Sequence, residues 1–225
     1  MDGERMSTTY SLPYGKDKIE FQLADNLSVD LIAPAPSTGA IDPGAAVESA
    51  LDHPVDGRSM SQFQGAHSAA IAVNDKTRPV PLHLLLPPLI KRLENLGIPP
   101  EQIQLFFATG THTPLTQEEM IALLPPALAN RHALISHDCD DAADLISLGV
   151  TTKRTSVLCS KRFLQADVKI VTGNIEPHHF AGFSGGAKTF SIGLAGRETI
   201  NRNHSLLLEP LARTGEYDRN PLRQD

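Results

Sequence analysis

Three short apolar runs in this chain each hand over directly to polar residues that can move protons or hold anions. Residues 69–73 run into Asn74-Asp75-Lys76-Thr77-Arg78-Pro79. Residues 103–108 run into Thr109-Gly110-Thr111-His112-Thr113-Pro114, and residues 168–172 into Gly173-Asn174-Ile175-Glu176-Pro177-His178-His179. Imidazole titrates near neutrality and suits acid–base work. Guanidinium pairs with carboxylate and phosphate. In an open parallel sheet, ligands bind beyond the carboxyl ends of the strands. If the three runs are such strands, Asp75, Arg78, His112 and His178 share one rim. Taken alone, Asp75 reads equally as a turn cap and Arg78 as its surface partner. Adjacent side chains on extended backbone point to opposite sides, so at most one of His178 and His179 is expected to face the site. His53, His67, His83, His132 and His137 have no comparable setting and are expected to be structural or solvated.

A second cluster spans Ala181-Gly182-Phe183-Ser184-Gly185-Gly186-Ala187-Lys188-Thr189. Such a loop lets backbone N–H groups wrap an anion. A lysine just beyond it can hold a phosphate or act as a nucleophile; the bland alternative is a flexible turn with an exposed lysine. Residues 182–189 approach a phosphate-binding P-loop but carry Ala187 where glycine is required, and the segment does not leave its strand directly. A different anion-binding loop is expected. Further on, Glu198-Thr199-Ile200-Asn201-Arg202-Asn203-His204 places a histidine after a helical stretch, which by itself is a routine surface or capping position.

The elements needed to hold these groups are readable from periodicity. Ile19, Phe21 and Leu23 alternate with polar residues as a strand does, and Tyr14-Gly15-Lys16-Asp17 suits a hairpin turn. Residues 1–8 read as a frayed start, and 33–44, rich in proline and glycine, as a connector. A short helix over about 44–52 follows. A helix over 89–96 should stop at Gly97 and Pro99-Pro100, and Thr116-Gln117-Glu118-Glu119 is a capping box for a helix through Leu124. Further strands are expected at 133–136 and 155–159. Strands alternating with helices imply an α/β fold with a doubly wound, mostly parallel sheet and a small N-terminal β unit. The boundaries are 1–44 for the β unit and linker and 45–225 for the α/β domain.

The chain has 225 residues, 40% of them hydrophobic, and a net charge of −6. That is enough for a sizeable core, and the acidic balance argues against nucleic acid as a partner. No apolar run approaches the roughly 18–20 residues of a membrane span. The start MDGERMSTTYSLPYGK lacks the apolar core of a signal peptide, so the expected setting is the cytoplasm, without membrane contact. Cys139 and Cys159 fit no zinc or redox spacing and are expected to be plainly buried.

The strings DKTRP (75–79), TGTHTP (109–114), EPHHFAGFSGGAK (176–188) and ETINRNH (198–204) resemble the nickel-pincer lactate racemase family, specifically its N-terminal cofactor-binding domain. LPYGKDKIEF (12–21) and NPLRQD (220–225) are similar to it as well, so the likeness covers nearly the whole chain. The resemblance implies a 2-hydroxy-acid racemase or epimerase working by reversible hydride transfer. Its cofactor would be a nickel complex of a pyridinium-3,5-bisthiocarboxylic acid mononucleotide. Position by position, Lys188 would hold that cofactor through a thioamide, His204 would ligate the nickel, and His112 and His178 would be the paired acid/base residues. Arg78 would bind the substrate with Asp75 close by, and Ser184, Gly185 and Gly186 would lie against the cofactor. Implied partners are a small 2-hydroxy acid, cofactor biosynthesis enzymes and a separate C-terminal domain that this chain does not contain. Its absence puts catalysis by the isolated chain in doubt. Two other readings stand beside this one. One is a Rossmann-like module that binds a nucleotide or phosphate without chemistry. The other is a zinc hydrolase using His112, His178 and His204, although no paired zinc-ligand motif is present.

Overall fold

The computed structural model describes residues 7–32, 35, 38–55 and 57–225. Most of the expected frayed start, residues 1–6, and residues 33, 34, 36 and 37 of the expected connector lie outside the described residues. The chain divides into two compact units, Met1–Ala40 and Ile41–Asp225. In the first, β1 (Ser7–Tyr14) and β2 (Asp17–Ala24) form an antiparallel hairpin. Ser7 and Thr8 therefore belong to a strand rather than to a frayed end. Tyr10 and Phe21 sit directly opposite one another and stack at 5.9 Å.

The second unit opens with α1 (Pro43–Asp52), capped by the Asp42 side chain. Then come β3 (Ala69–Asn74), α2 (Leu82–Asn95), β4 (Ile103–Ala108), α3 (Gln117–Ala122), α4 (Pro126–Ala129) and β5 (Ala133–Ser136). An antiparallel pair, β6 (Leu145–Val150) and β7 (Ser156–Ser160), leads through α5 (Lys161–Gln165) to β8 (Val168–Val171). The last part holds a minimal hairpin of β9 (Pro177–His178) and β10 (Gly182–Phe183). It is followed by α6 (Ala187–Ser191), α7 (Arg197–Ser205) and α8 (Pro221–Gln224).

The main sheet has the order β5-β4-β3-β8, with every pair parallel. Residues 69–73 of β3 are fully buried. Ala69, Ile71 and Val73 pack on one side with Leu86, Ile90 and Leu93 of α2 and Met120 of α3. Ala70 and Ala72 pack on the other with Phe106, Phe163 of α5 and Leu194. Both faces are covered, as a doubly wound α/β fold requires. Strand order reverses at β3: the chain moves outward to β4 and β5, then returns to place β8 on the opposite flank. The carboxyl ends of β3, β4 and β8 therefore open onto one crevice.

Two elements differ from the sequence reading. Helix α2 begins at Leu82 and runs through Pro87 and Pro88. Leu82, Leu86, Leu89, Ile90 and Leu93 form one buried stripe at helical spacing, and that burial outweighs the lost backbone hydrogen bonds. Strand β7 covers most of 155–159, but it pairs antiparallel with β6 outside the main sheet. The connection through 151–155 is too short for the crossover that a parallel neighbour needs.

Gly193 ties the crevice floor together. A Cβ there would lie 2.3 Å from the Thr189 carbonyl oxygen and 2.7 Å from Ala108 Cβ. Its own carbonyl accepts from the Gly110 N–H at 3.0 Å. No side chain fits between the segment after α6 and the end of β4. The substitution Gly193→Ala is expected to force these backbones apart at a cost of about 1–3 kcal/mol. Thermal melting should show a Tm lower by about 5 °C.

Candidate functional site

The loops after β3, β4 and β8, together with α6 and α7, enclose a cavity of about 270 Å³. Asp75, Arg78, His112, His178, Ser184, Gly185, Lys188 and His204 all line it, so the sequence-predicted groups converge on one wall. Gly186 does not line the cavity; it sits at the start of α6 with φ +54°, which suits glycine. The expectation that only one of His178 and His179 faces the site does not hold. Both line the cavity, with rings stacked at 4.6 Å. Strand β9 ends at His178, so the alternation of extended backbone stops there.

Asp75 is buried, and its two oxygens are engaged inside the protein. One accepts from the Thr77 N–H (2.9 Å) and hydroxyl (2.7 Å), the other from His112 Nδ1 at 2.6 Å. A carboxylate accepts only, so Nδ1 of His112 carries a proton, and in the neutral ring it is Nε2 that keeps a lone pair. The tautomer of His178 is the reverse. The Ala181 backbone N–H donates to its Nδ1 at 3.2 Å, which leaves the ring proton on Nε2. That Nε2 lies 2.7 Å from Lys188 Nζ.

Lys188 is half-buried, and among the described residues it has no carboxylate partner; its near neighbours are His178 and the face of Phe180. Burial, reinforced by the charges of Arg78 and Arg223, brings its pKa down to about 8. Burial also lowers His178 to about 4, helped by the charges of Lys188, His179, Arg78 and His204. His204 occupies the last turn of α7. Its Nδ1 is sealed from solvent and makes no hydrogen bond of good geometry among the described residues. Burial and the Lys188 charge hold it below the ordinary imidazole value, with the Ile200 carbonyl offsetting this in part. The wall thus offers a neutral imidazole to a metal and an amine of lowered basicity to a covalently held group. Arg78, whose guanidinium makes no ion pair among the described residues, adds a positive charge suited to an anion.

Ser184 lines the cavity and also closes a loop. Its hydroxyl donates to the Asn174 carbonyl (2.7 Å) and accepts from the Glu176 N–H (3.0 Å), closing the loop that carries His178. Cys139 and Cys159 are buried free thiols, and burial pushes Cys159 up to about 11.

The sequence reading missed three supports. Phe180 meets His178, His179 and His204 edge to face at 4.4–5.2 Å; its only signal was adjacency to the two histidines. Asn220, fully buried, donates to the Phe180 carbonyl at 2.8 Å. Asp225 accepts from Thr151 (2.6 Å), Thr155 (2.8 Å) and Asn203 (3.0 Å), fastening α7 beside the β6–β7 turn. Helix α7 is also docked through Thr199, which donates to the Ser156 carbonyl at 2.7 Å.

Two measurements follow from these environments. In Asp75→Ala, ¹⁵N chemical shifts of His112 should move from the Nδ1–H form toward the Nε2–H form. Stability should rise with pH across two windows, about 4 to 6.5 for His178 and about 8 to 10.5 for Lys188. Within each, the unfolded chain binds a proton that the folded chain has shed. Lys188→Met should flatten the upper slope relative to wild type, as read from urea midpoints.

Comparison with known proteins gives a consistent picture. Residues 14–215 match the profile of the lactate racemase N-terminal domain. A lactate racemase of Lactiplantibacillus plantarum is 33% identical over 219 residues, which is 95% of this chain and 51% of that protein. One from Thermoanaerobacterium thermosaccharolyticum is 29% identical over the same shares. The structure of the lactate racemase apoprotein from T. thermosaccharolyticum superposes with a TM-score of 0.85 at 30% identity, covering 97% of this chain and 52% of that one. A Thermotoga maritima protein shares the fold at a TM-score of 0.64 and 21% identity, over 80% of this chain and 45% of that one. The chain spans about half the length of the curated relatives it matches.

Proposed function

The chain belongs to the lactate racemase N-terminal domain family, and from that premise we propose that it is the cofactor-carrying half of a 2-hydroxy-acid racemase. The observation that carries this reading is the single cavity on which His112, His178, Arg78, Lys188 and His204 converge. The substrate class is lactate and related 2-hydroxy acids. The partner is a second domain of the kind that would fill the remaining length of the relatives.

The residues fit a nickel-pincer nucleotide. Lys188 supplies an amine able to form an amide-type bond, and His204 a neutral imidazole able to ligate nickel. When bound, the pincer nucleotide supplies a pyridinium that accepts hydride, so the Cα–H need not leave as a proton beside a carboxylate. Arg78 pairs with the substrate carboxylate and fixes its orientation. His112 takes the hydroxyl proton at Nε2, which is free because Asp75 holds the other ring proton. His178, with its ring proton on Nε2 toward the cavity, is the proton-donating partner in the enantiomeric pose. Phe180, packed edge to face on His178 and His204, helps to wall the site from water.

The test is co-expression with the cofactor-making enzymes, followed by intact-protein mass spectrometry and metal analysis. Wild type should carry a mass increment on the Lys188 peptide and about one nickel per chain. His204→Ala should keep the increment and lose most of the nickel. Folded wild type with Lys188 unmodified and no nickel, made under the same conditions, rules the reading out.

A further inference from the structure

The N-terminal hairpin contributes no residue to the cavity, yet its sequence is built to be covered. Side chains alternate along a strand, and the register sets Tyr10 opposite Phe21 and Leu12 opposite Ile19. Tyr10, Leu12 and Tyr14 of β1 therefore share one face with Ile19, Phe21 and Leu23 of β2. The opposite face carries Thr9, Ser11, Glu20 and Gln22. Such alternation is the pattern of strands buried on one side. The apolar side is nevertheless open: Tyr14 is 72% exposed, Leu12 53% and Ile19 50%. Among the described residues, this unit holds no third strand and no helix that could cover it. A lone two-stranded hairpin is marginal in water, so the face calls for a partner.

Area decides which partner. Strands of eight residues, at about 3.4 Å per residue and about 4.8 Å apart, present a face of roughly 270 Å². Two copies meeting through it would bury roughly 550 Å² in total, well under the roughly 1,200 Å² at which stable interfaces begin. A domain on the same chain requires far less, because a tether holds it at an effective concentration of about a millimolar. The chain spans 51% of the L. plantarum racemase and 52% of the T. thermosaccharolyticum apoprotein. Superposition on the latter takes in 97% of this chain, too much to leave the hairpin out. The hairpin thus belongs to the part shared with proteins that carry about as much chain again.

We infer that the apolar face of the hairpin is the docking surface for the second domain, the one that fills the remaining length of those relatives. This rests on the two-domain part of the reading above, and adds to it the surface that the second domain grips. The matching strip on that domain is apolar and free of charge opposite Leu12 and Ile19, since a charge buried there would have no partner on the hairpin. Hairpin order and domain docking are then coupled: the hairpin becomes stable when the domain seats on it.

The test compares the chain alone with the same chain joined to the second half of the L. plantarum racemase, by amide hydrogen exchange. In the chain alone, hairpin amides should exchange within about 10-fold of an unstructured peptide, and in the joined chain they should slow by about 100-fold or more. Leu12→Ser with Ile19→Ser should restore fast hairpin exchange in the joined chain, with β3 amides still protected. Glu20→Ser with Gln22→Ser, on the polar face, should leave the slow exchange in place. Three results overturn the inference. One is slow exchange already present in the monomeric chain alone, where its own α/β domain would be the cover. The second is slow exchange that tracks a dimer seen by light scattering, where a second copy would be. The third is fast exchange in a folded joined chain. Should the joined chain fail to fold, the same two pairs of substitutions at the aligned positions of the full-length L. plantarum enzyme decide. Protection lost only in the apolar-face pair supports the docking surface, and any other pattern overturns it. Intact mass and nickel content of the joined chain, made with the cofactor-making enzymes, separate the two readings. Loading without hairpin protection refutes the docking surface alone. Protection without loading refutes the cofactor reading and leaves the docking surface standing.

Discussion

A cation held partly out of water, with other cations for neighbours and no carboxylate among the described residues to offset it, is the constraint around which this cavity is organised. Lys188 is that group. Its charge, with that of Arg78, is one reason His178 stays neutral near physiological pH, and it contributes to the same state at His204. Among the described residues the one carboxylate on the cavity wall, Asp75, turns its oxygens toward Thr77 and His112 instead. The wall is therefore cationic, with His178 and His204 held toward the neutral imidazole. Such an environment favours ligands that bring negative charge, an electrophilic carbon or a metal ion.

His112 and His178 illustrate how backbone and buried carboxylate settle ring chemistry before any ligand arrives. Both rings reach the same cavity, yet one shows a bare nitrogen and the other a proton. The difference comes from a single partner on the far side of each ring, a carboxylate for one and a peptide N–H for the other. Residue type alone would have called the two equivalent.

The main sheet and its active edge were legible because a strand buried on both faces leaves a compact apolar run. The polar residues that follow it are then confined to one rim. Asp75, Arg78, His112 and His178 were found this way, from 69–73, 103–108 and 168–172. His204 gained its meaning only from the resemblance, whereas the glycine-rich loop before Lys188 had pointed to anion binding or a nucleophile. Features that depend on distant partners left no local trace. Helix α2 crosses two prolines because its stripe of leucines has a sheet to cover. Strand β7 pairs with β6 because the loop between them is short. Asn220 and Asp225 gave no hint in the sequence that they clamp the Phe180 loop and helix α7.

The contact at Gly193 bears on how accurately the site is made. Side chains hop among rotamers, whereas two main chains in van der Waals contact have almost no slack. The loop that carries His112 and the helix that carries Lys188 are joined through such a contact. Their separation is therefore subject to a machining tolerance that peripheral replacements cannot widen. Pocket walls can drift to suit different ligands while the spacing between the His112 loop and Lys188 stays put.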